Sequence, residues 1–288
     1  MVIGHKNIIA KLNKIIDNNQ VAHAYIFSGR EGIGKKMVAM DFACKLLCNN
    51  EADRKMFLAG SHPDFKLIKP NEKGLISVDD VREMISSIHI KPIKSNYKIY
   101  IVDDAECMNS AGQNSLLKTF EEPPEYAIII LITAKYNSLL TTIKSRGQLV
   151  EFSDLSNDEI KEYITNNNIK LPTDVDEKTL YTLINCSITK ISNVIADIET
   201  IKELQKYIEN ITKMNIIEIN NFANFLIKNK SNIQNVLDYL ELLLYTNNSS
   251  TSILLEYVEE AKSNIKRNIN FEISIDNLLM KIKEASNA

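Results

Sequence analysis

The 288-residue sequence has no tryptophan and few aromatic residues, no glycine after Gly147 and no proline after Pro172. Without the two strongest helix breakers, its last 116 residues are expected to be helical. The four cysteines, Cys44, Cys48, Cys107 and Cys186, are too few and too scattered for a disulfide framework. An excess of one charge is also missing, since 34 basic side chains meet 37 acidic ones for a formal net charge of −3. This excludes a chain that holds DNA by overall charge, because such binding needs clustered Lys and Arg to displace counterions. No apolar run approaches the roughly 18–20 residues of a membrane span, and the N-terminus lacks the apolar core of a signal peptide. A cytoplasmic protein without a membrane partner is expected.

What is present changes character along the chain. Ile8, Ile9, Leu12, Ile15 and Ile16 recur at helical spacing, and further helix-like segments cover 37–48, 77–89 and 109–120. Between them lie strand-like runs at 24–28, 65–68, 98–102, 127–132 and 148–152. Continuous Ile, Val and Leu runs alternating with helices indicate an α/β domain built on a parallel five-stranded sheet covered on both faces. Ser156 and Glu159 then have capping-box spacing, which opens an all-α region. The polar run 247–252 reads as a loop.

The sharpest motif is Gly29-Arg30-Glu31-Gly32-Ile33-Gly34-Lys35-Lys36, between a strand and a helix. This is the context of a P-loop, in which Gly29, Gly32 and Gly34 let backbone amides turn around phosphates. The helix N-terminus adds partial positive charge, and Lys35 pairs with the β- and γ-phosphates. Lys36 stands where a Ser or Thr hydroxyl would coordinate Mg²⁺. A Gly-rich turn without ligand is the other reading. The strand at 98–102 ends in Asp103 and Asp104, at the end of a parallel strand where ligands bind. Asp103 would touch a Mg²⁺ shell, whereas Asp104 replaces the usual water-activating Glu with a side chain one methylene shorter. A solvated acidic turn is the alternative.

Several segments together resemble one family. Ile3-Gly4-His5, His23 through Gly29, Gly60-Ser61-His62-Pro63-Asp64, Asn114 through Pro124 and Thr142 through Gln148 occur in the order seen in bacterial clamp-loader subunits. The chain is similar to the delta-prime family of DNA polymerase III, densely over 1–155 and more weakly to the end, where Asn268 through Glu272 precede Leu278 and Leu279. The resemblance implies an AAA+ nucleotide-binding domain (1–155), a helical lid (156–200) and a helical collar (201–288). It implies a heteropentamer with tau/gamma and delta subunits, which reaches the sliding clamp and primed DNA through the complex.

The departures from the family bear on chemistry. Its members carry four zinc-binding cysteines before the His-Pro-Asp segment, but only Cys44 and Cys48 precede it here. Structural zinc needs four closed ligands, so no metal is expected and both cysteines read as small buried apolar residues. Ser145-Arg146-Gly147 resembles the family's Ser-Arg-Cys motif, whose arginine finger reaches a neighbour's γ-phosphate; a surface arginine closing a helix is the other reading. Thr133 matches the first sensor, or simply closes a buried strand. Thr189 stands where the second sensor's Arg would be, and Lys190 is shifted by one residue, about 100° around a helix. With Lys36, Asp104 and Thr189 all altered, the expectation is a scaffolding subunit that hydrolyses no ATP itself, requires no cofactor, and holds ATP or ADP, if at all, without chemistry. The rivals are an active clamp-loader ATPase of tau/gamma type and a related AAA+ ATPase of recombination or repair. The stretch 91–98 is the one notable basic cluster, read as a solvated turn.

Overall fold

The computed structural model describes residues 4–171, 177–247, 251–267 and 269–286. Short apolar runs form the strands β1 (Ala24–Ser28), β2 (Phe65–Ile68), β3 (Lys98–Val102), β4 (Ala127–Thr133) and β5 (Gln148–Glu151). All are parallel, in the order β2-β3-β4-β1-β5. Tyr25 sits opposite Ile130, and Tyr100 opposite Ile129. Apart from Ser28, every residue of β1, β3 and β4 is buried, as a sheet covered on both faces requires. β5 lies at the edge, is mostly exposed, and stops at Glu151 instead of Phe152.

Around the sheet run α1 (Lys6–Asp17), α2 (Lys35–Leu47), α3 (Glu51–Leu58), α4 (Val78–Ile88), α5 (Ser110–Glu121), α6 (Thr141–Lys144) and α7 (Asn157–Asn166). Local chemistry fixes their starts: Ser77 with Asp80 and Ser156 with Glu159 close capping boxes, and the Asn109 side chain accepts from the Gly112 amide. α3 escapes the periodicity reading because it has a cap, Asn50, and an acidic first turn but too short an apolar stripe. α4 and α5 bury Val81, Met84, Ile88, Leu116 and Phe120 against Ile26, Tyr100 and Leu131 of the sheet.

Contacts divide the chain into two units, Met1–Asn168 with Cys186–Ile188, and Ile169–Asn185 with Thr189–Ala288. The helices beyond α7 are α8 (Glu177–Ile184), α9 (Ile188–Ala196), α10 (Ile198–Asn210), α11 (Ile216–Lys228), α12 (Ile233–Asn247), α13 (Thr251–Lys266) and α14 (Phe271–Ser286). Their core includes Leu204, Phe222, Leu226, Leu240, Leu244, Val258, Leu278 and Leu279. Tyr207 stacks on Phe222 with ring centroids 4.5 Å apart. The expected loop at 247–252 is shorter than its composition suggests. α12 extends through Asn247 and α13 begins at Thr251, while 248–250 lie outside the described residues.

One buried cation ties this helical unit together. Lys262 on α13 is nearly enclosed, and its Nζ bonds Asp238 (2.8 Å) and Glu241 on α12 and Glu259 (2.9 Å) on its own helix. Burial by itself would lower its pKa, but the hydrogen bonds to Asp238, Glu241 and Glu259 outweigh that and raise it above 10.5. A raised folded pKa means that the stabilisation is fully present below the ordinary lysine value and is lost as pH rises through the raised one. Lys262→Met should therefore destabilise the helical unit by about 2 kcal/mol, less than the roughly 3–5 kcal/mol of breaking a fully buried pair because the carboxylates reach solvent. The loss should be constant from pH 6 to about 9 and shrink above pH ~10.5, as read by chemical denaturation across that range.

Candidate functional site

The phosphate-loop residues lie between β1 and α2, at the carboxyl end of the sheet. Gly32 and Gly34 turn through left-handed backbone (φ 76° and 100°), and Gly34 is the residue on which α2 starts. The Gly29 amide donates to Thr133 O (3.3 Å), bringing the loop beside the end of β4. Asp103 follows β3 next to it. The structure thus gathers Gly29, Gly32, Gly34, Lys35, Lys36, Asp103, Asp104 and Thr133 at one end of the sheet.

Lys35, Lys36 and Thr133 each have partners within the protein. Lys35, buried at 6% exposure, donates from Nζ to the carbonyls of Gly29 and Arg30, both at 2.6 Å. Burial lowers its pKa, with Glu106, Asp104, Glu31 and Asp103 pushing the other way. Asp103 accepts an ion pair from Lys36 Nζ at 2.9 Å. Mg²⁺ does not fit this donor set, because an ammonium supplies no oxygen ligand and already holds the Asp103 carboxylate. Thr133 is fully buried and its Oγ1 accepts from the Lys135 amide (2.9 Å).

Sequence reasoning gave no role at the loop to three further contributors. Glu106, two residues after Asp104, accepts from the Ala134 amide through Oε1 (3.0 Å) and heads the carboxylates acting on Lys35. Its other carboxylate oxygen, Oε2, is buried without a partner; the Asp-Asp-Ala-Glu spacing was the available signal. His5 donates from Nε2 to Ile33 O (2.8 Å), and the Ile188 amide donates to Gly32 O (2.8 Å), so both steady the loop from outside the motif. Thr189, at the second-sensor position, is an exposed residue in the first turn of α9.

Asp104 adopts left-handed backbone (φ 50°), and its pKa is raised by burial first, then by Asp103, Glu106 and Glu31. A carboxyl raised in the fold favours folding below its ordinary value of 3.8, and that contribution is lost as pH rises through the raised value. The charged form therefore costs stability at neutral pH. Asp104→Asn, which also suits left-handed backbone, should stabilise the chain by about 0.5 kcal/mol after allowance for solvent screening. Thermal melting should show the gain at pH 7 and its disappearance as pH approaches 4.

Arg146 sits just past α6. Its guanidinium donates to Thr142 O (3.0 Å) and Ser145 Oγ (3.3 Å), and pairs with Glu121 of α5 at 2.7 Å. Both partners of that pair are solvent-accessible, so the arginine closes the short helix from the surface and is not folded inward. Gly147 has a packing reason for replacing the family's Cys: a Cβ there would lie 2.7 Å from both Cγ1 and Cδ1 of the fully buried Ile26.

The cysteines correct an expectation. Cys44 and Cys48 are half-buried rather than buried, and Cys44 Sγ donates to Cys48 Sγ at 3.7 Å. Burial and that contact push the Cys48 thiol up to about 12. The basic stretch is likewise only partly a solvated turn. Lys91 is exposed, but Lys98 is buried and donates to Ser87 O (2.8 Å) and Ile90 O (3.2 Å). No helix among the described residues is long and apolar enough to cross a membrane.

The DNA polymerase III subunit gamma of Buchnera aphidicola subsp. Acyrthosiphon pisum is 32% identical over 193 residues, 62% of this chain and 52% of that protein. The subunit delta' of Pseudomonas aeruginosa is 36% identical over 137 residues, covering 44% of this chain and 42% of that one. The chain thus spans about half or less of the length of the curated relatives it matches. A crystal structure of a DNA polymerase III gamma subunit-related protein from Thermotoga maritima superposes with a TM-score of 0.56 at 19% identity, covering 95% of this chain and 99% of that one, a likeness of fold. The profile described as DNA polymerase III, delta subunit, matches residues 4–156. Because that match takes in the whole sheet, the phosphate loop and Arg146, and more than half of the sequence, the chain belongs to this DNA polymerase III delta-subunit family.

Proposed function

We propose that this chain is the delta-prime-type subunit of a cytoplasmic clamp loader, helping to place a sliding clamp on primed DNA in a heteropentamer with tau/gamma and delta subunits. In this reading its own phosphate loop is chemically silent and Arg146 serves as an arginine finger for a neighbouring ATPase. The observation that supports it most is the setting of Arg146, at the surface beyond α6 and held by an exposed carboxylate that a neighbour's phosphates could outcompete. The altered residues Lys36, Asp104 and Thr189 support the silent site.

Reconstitution tests this reading. The purified chain should show no ATP hydrolysis, Lys35→Ala should leave turnover by the assembly unchanged, and Arg146→Ala should slow it. The rival, an active ATPase of tau/gamma type or of recombination and repair, draws on the gamma and tau/gamma relatives. Hydrolysis by the isolated chain that Lys35→Ala abolishes would establish the rival instead.

A further inference from the structure

We propose that the Lys36 ammonium is a built-in cation standing in place of the divalent metal of a phosphate-loop site, so that this site takes no metal either alone or with a nucleotide. The residue after the loop lysine and the carboxylate closing the neighbouring strand are the two protein anchors of such a metal. Here those two positions hold each other. Lys36 lies in the first turn of α2, Asp103 follows β3, and Nζ to Oδ2 is 2.9 Å. A charge-assisted bond of this length satisfies the Asp103 carboxylate, which is only 15% exposed. Mg²⁺ demands near-octahedral oxygen ligation and gives up its water reluctantly, so a site that has lost its hydroxyl and engaged its carboxylate offers it little.

The rest of the loop is arranged in the same manner. Lys35 Nζ is shared between the Gly29 and Arg30 carbonyls, and the carboxylates of Asp104, Glu106 and Glu31 act on it. The positive charge that a divalent metal would bring is thus already supplied by two side chains of the protein. This inference rests on reading Gly29 to Lys36 as a phosphate loop, but not on Arg146 acting in trans.

The test uses the full chain with Mn²⁺ followed by electron paramagnetic resonance, with and without ADP, and ADP titrations in EDTA and in Mg²⁺. The wild-type chain should retain no Mn²⁺, and its response to ADP should be the same in EDTA as in Mg²⁺. Lys36→Thr, which restores the hydroxyl and frees Asp103, should retain Mn²⁺ when ADP is present and bind ADP about tenfold or more tighter in Mg²⁺ than in EDTA. Lys36→Ser provides the same hydroxyl should the Thr variant fail to fold. Mn²⁺ held by the wild-type chain with ADP would overturn the proposal, as would a folded hydroxyl variant that stays indifferent to metal. A failed Arg146 experiment beside these results would remove the trans role and leave the metal substitution standing; the reverse pattern would do the opposite.

Discussion

Arg146→Ala, in an assembly reconstituted with the variant chain, should lower ATP turnover at the neighbouring site it serves by about 10³, the smaller end of what an arginine supplied in trans contributes to phosphoryl transfer. The transferring oxygens gain negative charge in the transition state, and a planar guanidinium meets two of them at once. Arg146→Lys keeps the charge but not the fork and should recover only part of the loss. The resting contacts of Arg146 set the control. Its pair with Glu121 is between accessible side chains, and such pairs contribute about 0–1 kcal/mol. Glu121→Gln should therefore leave the melting temperature nearly unchanged and turnover at least as high as that of the wild type. Turnover at that neighbouring site within about twofold of normal in the Arg146→Ala assembly would leave the arginine as a helix-closing residue only.

Asp64→Ala should produce the largest loss of stability in the sheet unit, about 3–4 kcal/mol. Asp64 is fully buried, and its carboxylate accepts from three successive amides, Ile93 (2.6 Å), Lys94 (2.7 Å) and Ser95 (2.9 Å). Its carbonyl also accepts from Ile99, the second residue of β3. One side chain therefore fixes the turn between α4 and the central strands, with the Ser95 hydroxyl anchoring the same turn to Leu47 O (2.8 Å). Each amide left without its acceptor costs about 1–3 kcal/mol, reduced where water can enter the half-buried turn. Asp64→Asn keeps one acceptor oxygen and turns an amide NH₂ towards the remaining donors, so about half the loss should remain. Denaturation should show the sheet unit's transition shifting while that of the helical unit does not, with faster amide exchange at 93–95. A loss below about 1 kcal/mol would mean that the turn is held by other contacts.

The strands were legible because β1, β3 and β4 are apolar on both faces, and burial on both faces is written into sequence as an unbroken run. The capped helices were legible for a similar reason: Ser77 with Asp80 and Ser156 with Glu159 act over three residues. α3 was not legible, since its cap has too short an apolar stripe behind it. Within the site, the P-loop, the Asp103-Asp104 pair and Arg146 were found from spacing and resemblance. The contacts of Glu106, His5 and Glu121 were not legible because their partners are 28, 28 and 25 residues away.

By itself the sequence determined the parallel α/β sheet, the helical remainder and the absence of a hydroxyl after Lys35, all of which follow from residue type at short range. Only the tertiary structure decided what the side chains hold: Asp103 taken by Lys36, Lys35 turned onto its own loop, Arg146 set against Glu121, and no room for a Cβ at Gly147. Such pairings depend on which strand ends and helix ends the fold brings together. Opposite charges choose partners by distance in space, and spacing along the chain carries no record of that choice.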